Sequence, residues 1–231
     1  IHGNPQGLVI SCGIAPRYSD IDAGAMAAAA IDEAVRNAVC VGVDVNKIAG
    51  LDNFCWPDPI QSDKTPDGKF KLAQLVRANR ELERICRAYR LPCVSGKDSM
   101  KNDYGKGEDK ISIPPTLLFS LFGNHPDVRN TATSDFKNAG DKIYLVGESH
   151  EELGASEVSF MLKENGVAAG IGGNVPALSN PEKLFKSYSS LSSAINSGLV
   201  KTAHDCSEGG LGVTLAEMCI GGRIGASIDL D

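Results

Sequence analysis

The 231-residue chain lacks several features that would each point to a class of protein. No apolar run approaches the roughly 20 residues needed to cross a bilayer, and no secretory signal pattern is present. Neither a membrane-spanning nor an exported protein is expected. Positive charge is not in excess: 29 Asp and Glu outweigh 23 Lys and Arg, for a formal net charge of -6, which argues against a nucleic-acid face. The seven cysteines (Cys12, Cys40, Cys55, Cys86, Cys93, Cys206 and Cys219) are odd in number and contain no Cys-x-x-Cys. That excludes the usual zinc and disulfide frameworks. Several have apolar neighbours and read as reduced, packed thiols of a cytoplasmic protein. Internal repeats and low-complexity tracts are absent as well. What remains is an acidic chain long enough for one large or two small domains with a real core. Such a chain still binds a nucleotide where a divalent cation neutralises the phosphates.

The most informative stretch runs from Val94 through Ser95, Gly96, Lys97, Asp98 and Ser99 to Asp103. An apolar approach over residues 91–94 ends in a Ser-Gly break and then a burst of charge, the pattern of a buried strand that ends at a site edge. Glycine lets a backbone come close to a phosphate, and lysine supplies a cation. The P-loop reading of Gly96-Lys97 fails, because that motif needs a second glycine where Leu91 stands and Ser or Thr where Asp98 stands. An ordinary strand-ending turn is the competing reading.

The hydrophobic pattern is α/β throughout. Strands are expected over residues 7–14, 47–54, 92–95, 116–123, 141–146, 200–204 and 225–230. Helices are expected over 23–41, with Asp20 and Asp22 offering caps, and over 71–89, 155–164, 181–197 and 209–219. A Pro- and Asp-rich loop covers 56–68, and polar residues 124–138 mark a boundary. The division is therefore into two α/β modules, residues 1–138 and 139–231. Without an initial Met, and with a last strand that nothing closes, the sequence reads as a piece of a longer one.

Two further constellations carry chemistry. The stretch from Ala203 through His204, Asp205, Cys206, Ser207 and Glu208 to Gly209 and Gly210 is a strand, a polar turn, paired glycines and a helix start. Free N–H groups at a helix start attract anions. Asp205 suits a metal and Ser207 a phosphate; simple capping of the helix by either residue is the alternative. Glu33 and Asn37, four apart on the alanine-rich helix, point from one face and form an oxygen pair suited to Mg2+. An exposed polar pair of no function is the alternative there.

Three segments, G-L-D-N-F-C-W-P-D-P, S-G-K-D-S-M-K-N-D and H-D-C-S-E-G-G-L, in this order and spacing, resemble the second half of the phosphoribosylformylglycinamidine synthase family. That family is also called formylglycinamide ribonucleotide amidotransferase, within the aminoimidazole ribonucleotide synthetase-like superfamily. The resemblance implies an N-terminal module whose sheet pairs with another copy into a barrel, followed by a partial C-terminal α/β module. It implies ATP-dependent amidation of formylglycinamide ribonucleotide in purine biosynthesis. Ammonia comes from a glutaminase domain or subunit, and no cysteine here has the look of its nucleophile.

By the same resemblance, Asp52 and Gly96 contact the nucleotide and Ser99 contacts the substrate. Glu33, Asn37 and Asp205 are metal ligands, with Ser207 on the nucleotide that metal serves. Lys97 departs from the pattern of short bacterial forms, which carry a metal-binding Asn after the glycine. An ammonium has no lone pair for Mg2+, so Lys97 is assigned a phosphate or substrate contact. ATP or ADP with Mg2+ are the expected cofactors. No complete catalytic set is expected within the chain, whose missing first half holds the proposed catalytic His. An unpaired sheet favours a homodimer. A non-catalytic Mg-nucleotide module, a small-molecule kinase and a selenophosphate synthetase are the competing functions.

Overall fold

Asp22 starts the long alanine-rich helix by accepting the N–H groups of Gly24 and Ala25 at 2.7 and 3.0 Å, the expected satisfaction of otherwise orphaned donors. In the computed structural model, which describes residues 2–105, 109–166 and 173–230, that helix is α1 (Ala23–Cys40). Before it runs β1 (Gly7–Ile14), and after it β2 (Ile48–Cys55), α2 (Gly68–Ala88) and β3 (Cys93–Ser99). A small ribbon of β4 (Asp103–Tyr104) and β5 (Ile111–Ser112) leads to β6 (Thr116–His125). Helices α3 (Glu157–Glu164), α4 (Pro181–Asn196) and α5 (Gly210–Gly222) follow.

The four long strands form one sheet in the order β1-β6-β2-β3, antiparallel except for the parallel β2–β3 pair. The sheet is open, with β1 and β3 as its edges, so the described residues form no closed barrel. The β2–β3 register shifts between Gly50, opposite Cys93, and Leu51, opposite Ser95, leaving Val94 as the extra residue of a bulge.

One sheet face is buried under α1 and α2. Ile48, Gly50 and Phe54 of β2 and Leu117, Phe119 and Leu121 of β6 point into it. Helix α1 lies very close to β1: the Ser11 hydroxyl donates to the Ala34 carbonyl at 2.7 Å, and a Cβ on Gly13 would meet the Ala30 carbonyl at 2.0 Å. Only glycine on the strand and alanine on the helix permit that approach. Trp56 is fully buried and its indole N–H donates to the Lys71 carbonyl at 2.9 Å, giving its one polar atom a partner. The opposite sheet face has no covering layer among the described residues. Leu8 and Ile10 stand 72% and 74% exposed on it.

Beneath the helices a buried carboxylate joins distant segments. Asp32 of α1 accepts the hydroxyls of Tyr89, just after α2, and of Tyr188 in α4, the latter at 2.8 Å. It also pairs with Arg36 at 2.8 Å. Arg36 in turn donates to the Cys206 carbonyl.

Several expectations are corrected. Residues 141–146 and 225–230 are not strands; their backbones have no ladder partner among the described residues, and their apolar side chains are largely exposed. Residues 200–204 make only an isolated bridge, Thr133 to Thr202. The strand after Leu91 is neither short nor buried: β3 continues to Ser99 along an exposed edge, because only β2 pairs with it. The β4–β5 ribbon, made of two-residue strands, gave no periodic signal.

Removing the hub should be costly. Asp32→Ala leaves two phenols and a guanidinium without their shared acceptor, and breaking a buried pair of this kind costs about 3–5 kcal/mol. Urea unfolding should show that loss; a change below about 1 kcal/mol would mean the network does not hold these segments together.

Candidate functional site

The β3 edge sorts the predicted residues between the two sheet faces. Asp52 of β2 stands opposite Gly96 of β3, and its carboxylate lies over the glycine. A Cβ on Gly96 would come within 2.8 Å of Asp52 Oδ2 and 2.9 Å of Oδ1. Burial raises the Asp52 pKa above the ordinary carboxylate value, and the neighbouring Asp98 adds to the rise. Both Asp52 and Gly96 face the helix side, as do Ile48 and Phe54.

Lys97 and Ser99 alternate to the open face, where the Lys97 ammonium donates to the Ser99 hydroxyl. The backbone of Ser99 is fixed by two donors to its carbonyl, Trp56 N–H at 2.8 Å and Asn102 Nδ2 at 2.9 Å. The edge strand is thus anchored at its far end while its length stays accessible.

Glu33, Asn37 and Asp205 gather around the other end of α1. Glu33 Oε2 accepts from Ile14 N–H at 2.8 Å, at the end of β1. Asn37 Nδ2 donates to the Glu33 carbonyl at 3.2 Å, which leaves its Oδ1 for other use. Burial raises the Glu33 pKa, with Asp205 and Glu208 pushing the same way against the opposing Ile14 N–H and Arg36. The Cys40 thiol is pushed up to about 12 by burial and then by Asp205. Asp205 therefore lies within electrostatic reach of α1. As they stand, no three His, Cys, Asp or Glu side chains converge on a metal position among the described residues.

The loop before α5 is held from within. Ser207 donates to the Asp205 carboxylate, His204 Nδ1 is 2.8 Å from the Asp205 carbonyl, and Thr214 donates to the same carbonyl at 3.2 Å. His204 Nε2 is 3.2 Å from Glu217. No side chain caps α5, so the capping alternative for Asp205 and Ser207 is overturned. Gly210, at φ 64, has the left-handed backbone that favours glycine.

The two clusters share one end of the sheet. Ile14 is paired with Leu118, Leu118 with Asn53, and Asn53 with Lys97. This single row, four strands wide, spans about 14 Å at ordinary strand spacing, from the backbone that Glu33 holds to Lys97.

The sequence reading missed Arg36, which ties α1 to the Cys206 carbonyl. Its place four residues after Asp32 was the available signal. It also missed a polar knot beside β4 and β5. There Asp103 accepts from Ser112 at 2.6 Å and pairs with Lys110 at 3.0 Å, and the largely buried Lys71 donates to Ser112 at 3.0 Å. Burial works against the Asp103 charge, but the Ser112 and Lys110 hydrogen bonds, the Lys110 charge and the Asp58 N–H together outweigh it and lower the pKa.

Family models match the chain in two places: AIR synthase related protein, N-terminal domain, over residues 1–115, and AIR synthase related protein, C-terminal domain, over residues 138–231. The chain belongs to the AIR synthase related family. Within it, the chain is similar along its whole length, at 34% identity, to the phosphoribosylformylglycinamidine synthase subunit PurL of Deinococcus radiodurans. Over 93% of its length it is 38% identical to the PurL subunit of an Anaeromyxobacter species. It spans 30% and 26% of those two relatives. The solved structure of T. maritima PurL complexed with FGAR matches 96% of the chain with a TM-score of 0.69 at 14% identity, and 34% of that protein is covered. That likeness is one of fold.

The raised Glu33 pKa has a signed consequence. A carboxyl with a higher pKa folded than unfolded opposes folding once ionised, so its cost is present at neutral pH and vanishes as pH falls below the carboxylate range. Glu33→Gln keeps an acceptor for Ile14 N–H and removes the charge. Its thermal midpoint should exceed that of the parent at pH 7 and converge with it near pH 3; a lower midpoint at pH 7 would contradict the repulsion.

Proposed function

We propose that the chain is part of a phosphoribosylformylglycinamidine synthase, a ligase of purine biosynthesis, with residues 1–138 and 139–231 as its two modules. The observation that carries this reading is the gathering of both predicted clusters at one end of one sheet. Similarity to PurL subunits along the whole chain supports it, and one PurL neighbour was solved with FGAR. The whole reaction is ATP-dependent: the formamide oxygen of formylglycinamide ribonucleotide takes the terminal phosphoryl group, and ammonia from a glutaminase partner then displaces phosphate to give the amidine. The unpaired thiols suit work in the cytoplasm.

The roles of the chain's own residues follow from their placement. Gly96, whose missing Cβ leaves room for the Asp52 carboxylate, offers its backbone to the nucleotide, and the Asp52 carboxylate accepts from it. Lys97 offers its ammonium to phosphate, and Ser99 donates its hydroxyl to the substrate from the same face. Because β3 is an exposed edge, a nucleotide on one face and a substrate on the other meet around it without crossing the sheet. Positioned donors of this kind do most of the work in phosphoryl transfer.

Glu33 and Asp205, with Asn37 Oδ1, fit a divalent cation: Asp205 adds to the cost of the Glu33 charge, which a cation would relieve. When bound, Mg2+ neutralises phosphate charge. The convergence of ligands is incomplete among the described residues, and a second reading has this cluster hold Mg-nucleotide as a structural element. Under either reading the chain alone binds Mg-ADP and forms no amidine.

The barrel implied by the family likeness forms, on this proposal, by pairing two open sheets through the bare face that bears Leu8, Ile10 and Phe122.

Calorimetric titration with Mg-ADP tests the metal cluster. Glu33→Ala and Asp205→Ala should each weaken binding roughly tenfold or more; unchanged affinity in both retires the assignment. Sedimentation tests the pairing. The chain should self-associate at micromolar concentration and Ile10→Lys should release monomer, whereas a parent chain that stays monomeric at high concentration refutes it.

A further inference from the structure

The end of α2 brings two thiols together at the base of the candidate site. Cys86, in the last turn of α2, and Cys93, the first residue of β3, have their sulfurs 3.9 Å apart. The link between them is rigid. Leu91 N–H donates to the Cys86 carbonyl at 2.9 Å, and the Pro92 carbonyl accepts from Gly50 N–H at 2.9 Å. Arg90 turns the chain at φ 50, and Tyr89 and Leu91 are buried on either side of it. With the backbone held on both sides, the remaining gap is left for side-chain rotation to close.

The two sulfurs differ in access: Cys93 is exposed and Cys86 is buried. One thiol is open to an oxidant while the other waits beside it, the arrangement of an attacked and a resolving cysteine. Burial holds both thiols above the ordinary cysteine pKa, and the charge of Asp52 acts on both in the same direction. The pair is therefore slow to react and needs sustained oxidant.

We propose that Cys86 and Cys93 form a reversible disulfide when the chain meets a hydroperoxide, making the base of β3 a redox modification site. Cys93 loses its proton to solvent, and its sulfur attacks one peroxide oxygen. The O–O bond breaks, the sulfur becomes a sulfenic acid, and the other oxygen leaves as water. The Cys86 sulfur then attacks the sulfenic sulfur; the S–S bond forms, the S–O bond breaks, and the hydroxide takes the Cys86 proton as a second water. Two thiols give two electrons to one peroxide. The crosslink ties α2 to the strand that carries Gly96, three residues beyond Cys93.

Peptide mapping tests this without reference to nucleotide binding. The native chain is treated with hydrogen peroxide, quenched with catalase, alkylated and digested with trypsin without reductant. The expected product is peptide 85–87 joined to peptide 91–97, in most of the population and lost on dithiothreitol treatment. Exposed Cys12, with no thiol beside it, is the internal control and forms no such intrachain link. Cys93→Ser should remove the product and leave Cys86 free for alkylation after unfolding. Recovery of Cys93 as sulfinic or sulfonic acid with Cys86 free, linkage of Cys93 to any other cysteine, or recovery of both thiols unoxidised would each overturn the proposal. If the variant fails to fold, the map of the native chain decides alone.

Discussion

The Asp32 carboxylate is the constraint on which the rest of the molecule depends. It is a charge taken out of water, and such a charge is tolerated only with a full set of partners. It finds them in three different segments: Arg36 on its own helix, Tyr89 after α2 and Tyr188 in α4. Each phenol is held in its neutral form by burial first and by the adjacent carboxylate. Tyr89 and Tyr188, from separate helical segments, are thus fixed to one oxygen atom. Hydrophobic contact alone would let α4 slide on α1; a hydrogen bond to a single buried acceptor sets its position.

That fixed position is what presents the candidate site. Arg36 spans from Asp32 to the Cys206 carbonyl, so the loop bearing Asp205 and Ser207 is aligned by the same carboxylate that aligns the tyrosines. Burial lowers the tendency of Arg36 to hold its proton, but Asp32, Tyr188, Asp205 and Glu33 together outweigh it, and the pKa is raised. The guanidinium is a permanent cation between the structural acid and the acids of the site. Site and scaffold are therefore electrostatically continuous.

Much of this was legible in the sequence where local chemistry decides. The strand at Gly7–Ile14 and the cap at Asp22 follow from a short apolar stretch rich in β-branched residues and from a carboxylate facing free N–H groups. The α4 start at Pro181 follows from proline's fixed φ. The likeness carried by the Asp52, Gly96 and Asp205 segments pointed to the right family. What was not legible depends on partners far away in sequence. Ile143 to Val146 have the composition of a strand but no neighbour to pair with among the described residues. Val94 looks like the core and lies on an exposed edge. Asp32 carries no local mark of burial, since the tyrosines that justify it arrive from other helices.

The extra residue at Val94 sets how the site must be read. Side chains along a strand alternate between faces, so their assignment works like a two-letter reading frame, and the bulge between Gly50 and Leu51 is where β3 sets its frame against β2. With Val94 in place, Gly96 falls under the Asp52 carboxylate and Lys97 on the open side. Drawn into a regular ladder instead, Val94 would stand opposite Leu51, Ser95 opposite Asp52 and Gly96 opposite Asn53, so that Ser95 and Gly96 would exchange faces. A frameshift of one in the protein, with every chemical group retained, would set a Cβ where the Asp52 carboxylate now lies and turn the glycine away from the acid it faces.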